Sequence, residues 1–228
     1  MHHRKPRTGS TPRTAIGLGI AATTTAVMAA ATAPTQAAAG SRLSRDVAIA
    51  VDGAYSHADR THVRQFDESL TVHEYGPSIV VTANNRATAV SAGCSLDRPC
   101  RSVALSYQIV TTAGRGARLI NATNLSRSVN EHCPACETFS AAYQFVVATP
   151  RRFTLSRDAR DELAGINREV DALKTSGWSI SRIGRAADEL ARRVKSVLDR
   201  EAARAPRATG SDPLADFAPT VTMHRYVR

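Results

Sequence analysis

The chain has 228 residues, a formal net charge of +10 and an aromatic content of 5%. Its basic residues are almost all Arg and are scattered rather than clustered, with few aromatics between them. That pattern argues against a nucleic-acid surface, which combines a basic stripe with stacking rings, while a net positive charge favours contact with an anionic cell envelope.

At the N-terminus, Arg4, Lys5, Arg7 and Arg13 precede an uncharged stretch of small and apolar residues, then Ala37 and Ala39 in a small-x-small arrangement. This layout predicts a secretory signal peptide over residues 1–39. An uncleaved anchor is the alternative, but the Ala and Thr content makes the run a poor bilayer resident. No Arg-Arg pair precedes the run, which points to general secretion. Removing residues 1–39 takes away four basic residues and no acid, leaving 189 residues at a net charge of +6. No later segment is long or apolar enough to span a membrane. Location outside the cytoplasm or on the cell surface follows as the expectation. A mature chain of that length suits one domain.

Residues 40–69 read as an N-terminal segment. The next stretch, 70–150, carries an internal repeat. At a constant offset of 39 residues, Asn85, Val90 and Cys94 match Asn124, Val129 and Cys133. After the second cysteine the offset becomes 36, matching Cys100, Tyr107, Gln108 and Val110 with Cys136, Tyr143, Gln144 and Val146. Within each copy, a β-rich run (78–83 in the first) is followed by an Asn able to cap a short helix through about Gly93. Past the cysteines, Val103, Leu105, Tyr107 and Ile109 alternate with small or polar residues, which is strand period. The second copy, with Thr138, Tyr143, Phe145 and Val147, favours strand over buried helix. Two strand-helix-strand copies side by side predict one small sheet. Gly114–Gly116 separates the copies.

From Ala159 the period changes. Ala159, Leu163, Ile166, Val170 and Leu173 keep helical spacing, with Ser156 as cap and Asp158 in the first turn. The pattern breaks at Thr175–Trp178 and resumes from Ile180 to Val197, predicting an αα-hairpin over 151–204. Residues 205–228, rich in Pro, Gly and small polar residues, read as a flexible tail. The fold class is α+β: a duplicated strand-helix-strand unit forming one small sheet, followed by a C-terminal αα-hairpin.

The four cysteines, Cys94, Cys100, Cys133 and Cys136, leave none unpaired and in an exported chain read first as two disulfides. The repeat is compatible with any of the three pairings. The unequal spacing within the two pairs is easiest to accommodate if each copy closes on itself. Cys133-Pro-Ala-Cys136 has the spacing of a redox pair, but no helix is expected to begin there to depress a thiol pKa. A zinc site would use all four thiolates, and the five residues between Cys94 and Cys100 are longer than a knuckle allows. His73-Glu74 opens like a zincin helix, yet Pro77 stands where the second His belongs. Asp52, His57 and Ser69 can be arranged as a triad only on paper. Tyr107 and Tyr143 are either core tyrosines with bonded hydroxyls or a ligand-facing pair. No catalytic residue, metal or cofactor is expected.

With the motif Asn-x4-Val-x3-Cys…Cys-x6-Tyr-Gln-x-Val present twice, the chain resembles, over about residues 78 to 200, a family of bacterial secreted or envelope-associated proteins of unknown function. Some of its members carry the loose label of peptide zinc metalloprotease. Members have two Cys-x2-Cys pairs, each followed by an alternating apolar stretch, and then a helical region. This chain departs in its first pair and lacks His-Glu-x-x-His, so the label is not carried over. The resemblance implies a secreted or envelope-associated protein. The chain reads as a non-catalytic binding or structural module with an unidentified protein or envelope partner. An extracytoplasmic thiol-disulfide oxidoreductase using Cys133 and Cys136, or an accessory factor in peptide processing, are the alternatives.

Overall fold

A computed structural model describes residues 47–78, 80–114 and 120–228, all within one unit spanning Gly40–Arg228. The expected signal peptide lies outside the described residues. Six long strands alternate between two sheets: β1 (Val47–Ala58), β3 (Val80–Ala92) and β5 (Ile120–Glu131) form the first, and β2 (Arg64–Pro77), β4 (Arg101–Ala113) and β6 (Glu137–Thr149) the second. Neighbours within each of these sets run parallel. The chain thus winds through three coils of a flattened solenoid, one strand per sheet in each coil. Helices α1 (Arg157–Ala172) and α2 (Ile180–Arg204) follow, and β7 (Thr220–Val227) adds antiparallel to β6.

The single small sheet expected from the sequence is therefore two sheets, in a mixed α/β arrangement with both helices near the C-terminus. The residues matched at offsets of 39 and 36 are strand partners: Asn85 pairs with Asn124, and Tyr107 with Tyr143.

Three further expectations are corrected. The short helix expected after Asn85 is the body of β3, because Val81, Ala83, Asn85, Ala87 and Ala89 alternate strictly inward. That alternation, summed over twelve ladder pairs, outweighs the helix preference of its alanines. From Val47 on, the expected N-terminal segment does not stand apart from the sheets, since β1 and the start of β2 supply a first coil with Asp52 in register with Asn85. The tail is not free along its length either, for β7 closes the edge of β6 and its end is tied by two 3.0 Å bonds between Ser140 and Arg228.

Burial explains the layers. Every residue of β4 from Ser102 onward is buried, because one face meets the first sheet and the other meets the helices. Between the sheets small side chains let the backbones approach, as in the cluster of Ala54, Ala87, Ala89, Ala104 and Ala142. On the opposite face of the second sheet, Leu105, Tyr107, Ile109, Tyr143 and Phe145 pack under Leu163, Ile166, Val170, Leu190 and Val194. The helical hairpin forms as expected. Ser156 accepts from Ala159 N at 3.1 Å, and Gly177 at φ 65° makes the break.

Candidate functional site

The three turns joining the first sheet to the second lie at one end of the solenoid, and the cysteines are concentrated there. Cys94 and Cys100 lie at disulfide distance with Cα atoms 5.9 Å apart, and Cys133 and Cys136 likewise at 5.5 Å. Each copy closes on itself, and neither pair crosses between coils. Ladder bonds bring the pairs together: Gly93 N donates to Glu131 O at 2.9 Å, and Cys100 N donates to Cys136 Sγ at 3.1 Å. All four sulfurs lie within 4.8 Å of one another. Cys94, Cys100 and Cys133 are buried, whereas Cys136 is half-buried. In a reduced chain such a set approaches the spacing of a tetrahedral thiolate site, whose sulfurs sit about 3.8 Å apart for bonds of about 2.3 Å. Closed as two disulfides it offers no thiolate. The Cys133–Cys136 turn leads from strand to strand with Ala135 at φ 63°, so no helix N-terminus is there to favour a thiolate.

Tyr107 and Tyr143 stack at 4.8 Å between ring centroids and are fully buried. They face α2: Tyr107 Oη donates to Ala187 O at 3.0 Å and Tyr143 Oη to Asp188 Oδ1 at 2.7 Å. Burial, then the neighbouring tyrosine and Asp188, raise the Tyr107 pKa well above 10.0. Burial and the bond to Asp188 raise that of Tyr143. Both are neutral core donors across the ordinary pH range. Arg225 of β7 donates to both carboxylate oxygens of Asp188, at 2.6 and 2.7 Å, so this one carboxylate joins α2, β6 and β7.

The space between the sheets holds a ladder of polar side chains. Asp52 Oδ2 accepts from Gln108 Nε2 at 2.6 Å and lies 2.7 Å from His73 Nε2. Gln144 Nε2 donates to Gln108 Oε1 at 2.7 Å, while Asn85 Nδ2 donates to Asn124 Oδ1 at 3.0 Å. Successive coils thus bond laterally through equivalent positions, a structural use of buried amides. The paper triad is not assembled, because Asp52 takes His73 while His57 points outward on β1.

The outer face of the first sheet is the part with no covering layer among the described residues. Along β1, Val47, Ile49, Val51 and Tyr55 are 53–68% exposed, with Val80 (37%) beside Val47 in register and Leu125 (46%) on β5. Among the described residues, β1 is an edge strand that pairs only with β3. An apolar stripe on an unpaired edge is a surface that associates.

No protein-family model, curated protein or solved structure is detectably similar to this chain. The site must therefore be read from its own geometry. Sequence reasoning missed the first coil, which has no cysteines to mark it, and the Asp188–Arg225 link, whose partners are 37 residues apart. It also missed the outward stripe of β1, although the alternation of Val47, Ile49 and Val51 with Ala48 and Ala50 was available.

Proposed function

We propose that the chain is an exported, non-catalytic binding module of the cell envelope, and that its partner docks on the apolar stripe of β1. The exposed row of Val47, Ile49, Val51 and Tyr55 on an edge strand carries this reading. An extended partner segment can add its backbone to β1 while its side chains cover the stripe. Paired cysteines support a place outside the reducing cytoplasm, and the resemblance to envelope-associated proteins belongs to the same proposal.

The double variant Ile49→Glu, Val51→Glu tests it, because both side chains point away from the core. Wild-type protein is expected in the envelope fraction of its producing cells. The variant should melt at the same temperature and move to the soluble fraction. Equal partition of the two proteins ends the proposal. Mass spectrometry after alkylation checks the cysteines. Without reductant no adduct is expected, and labelling of two or more cysteines in fresh protein contradicts the locked scaffold.

The half-buried Cys136 beside three other sulfurs favours a second reading, a thiol-disulfide oxidoreductase attacked at that sulfur. It requires insulin reduction that Cys133→Ser abolishes. An inactive wild type removes it.

A further inference from the structure

One step along the chain from the cysteine turns, the first residues of β2 and β4 and the turn between α1 and α2 line an open cleft of 420 Å³. Its volume lies within the range of small-ligand sites, about 300–1,000 Å³. Phe66, Val103, Leu173, Trp178 and Ile183 supply apolar walls, while Arg64, Arg101 and Lys174 line it with positive charge. Arg101 is partly committed, donating to Trp178 O with its Nε 3.6 Å from Glu137 Oε2. Arg182 lies 4.0 Å over the Trp178 ring, fixing the indole and adding a fourth cation nearby.

Arg64 and Lys174 are exposed and, among the described residues, neither has an ion-pair partner or a side-chain hydrogen bond. The acids that interact with its cations are Glu137, 3.6 Å from Arg101, and Glu68, which Lys174 influences alongside Asp171 and Asp67. Asp67 is occupied by Tyr55 N at 2.6 Å. Glu68 has one carboxylate oxygen buried without a partner, and burial, then Asp171 and Asp67, raise its pKa while Lys174 lowers it. The cavity therefore has an apolar floor and a rim where, among the described residues, Arg64 and Lys174 are not held in ion pairs.

We propose that this cavity binds an organic carboxylate with an aromatic or branched apolar body, the carboxylate held by Arg64 and Lys174 and the body seated against Trp178 and Phe66. The apolar walls reward a body that leaves water, and a guanidinium fork matches a carboxylate in geometry as well as charge. The site is separate from the β1 stripe, so Ile49→Glu, Val51→Glu leaves it intact.

Trp178 is the chain's single tryptophan, so its fluorescence reports the cavity directly. The probes are N-acetylphenylalanine and its uncharged primary amide, which share one body. A saturable change is expected with the carboxylate, at least ten-fold tighter than with the amide and weakened by added salt. The Arg64→Gln, Lys174→Gln double variant should lower carboxylate affinity at least ten-fold, leaving the amide response and the melting temperature unchanged. Arg64→Lys, which keeps the charge but loses the fork, should bind the carboxylate more weakly than the wild type and more tightly than the double variant. The proposal is overturned by the absence of a saturable change, by equal affinity for acid and amide, or by a double variant that binds as the wild type does.

Discussion

Asp52 and Asp59 show how the environment of one carboxylate sets its contribution to folding. Burial is the largest single influence on Asp52 and opposes ionisation. The bonds from His73 and Gln108, with the charge of His73, together outweigh it, so its pKa is lowered from 3.8. Asp59 is exposed. Its Oδ1 accepts from Thr61 Oγ1, His62 N and Thr61 N at 2.6, 2.7 and 2.8 Å, which brings its pKa from 3.8 to about 2. Both shifts have the same sign. Each group stabilises the fold fully above pH 3.8, and the stabilisation is lost as pH falls through the folded value, down to about 2 for Asp59. Asp52→Asn should therefore be less stable by about 1–3 kcal/mol at pH 7, through loss of a buried charged acceptor. Its stability should also fall less steeply than that of the wild type between pH 4 and 2. Urea melts at several pH values measure both, and parallel curves would contradict the assignment.

The strands and helices depend on close approaches that single residues permit. A Cβ on Gly53 of β1 would lie 2.7 Å from the carbonyl oxygen of Arg86 on β3, so the backbone would have to move. Gly53→Ala should cost about 1–3 kcal/mol in thermal or urea unfolding even though residue 53 faces solvent, and an unchanged midpoint would refute the contact. At the other edge, Asp188→Ala removes the acceptor shared by Arg225 and Tyr143. A loss of about 1–3 kcal/mol is expected, and hydrogen exchange should quicken first in β7, where that contact is a polar tie to α2 beside the apolar packing of Val221, Met223 and Val227. Exchange that quickens uniformly across both sheets would place the role of Asp188 elsewhere. The elements differ in how well the sequence announces them. The helices and the strand character of β4 and β6 are legible because their periods or β-rich ends are strong. The region of β3 is ambiguous because Asn84 and Asn85 read as helix caps and Ala87 and Ala89 favour a helix. Only the facing Ala104 and Ala142 of the second sheet make those small residues a strand's inner face. The Trp178 cavity could not be read at all, since its walls run from Arg64 to Ile183 and meet only in the folded chain.

At the scale of the molecule, two kinds of link hold the three coils. The ladders and the core beneath the helices join coil to coil, whereas each disulfide closes only its own turn, with sequence separations of 6 and 3. Loops this short restrict the unfolded chain modestly, by about 2 kcal/mol each. The buried core that spans β4, β6 and both helices does not include the cysteines. Reduction should therefore lower stability by about 4 kcal/mol in total, or roughly 10 °C in melting temperature for a chain of this size, with a single cooperative transition retained. The Cys94→Ser, Cys100→Ser and Cys133→Ser, Cys136→Ser double variants should divide that loss about equally. Calorimetry of oxidised, reduced and variant proteins decides the matter. A reduced chain without a transition would mean that the cysteines tie coil to coil, for instance through Cys100 and Cys136, whose turns are neighbours in the ladder. An unchanged melting temperature would mean that the turns are held by their backbone bonds alone. A drop of the stated size identifies the pairs as clips on a scaffold whose cohesion comes from strand pairing and the helical layer.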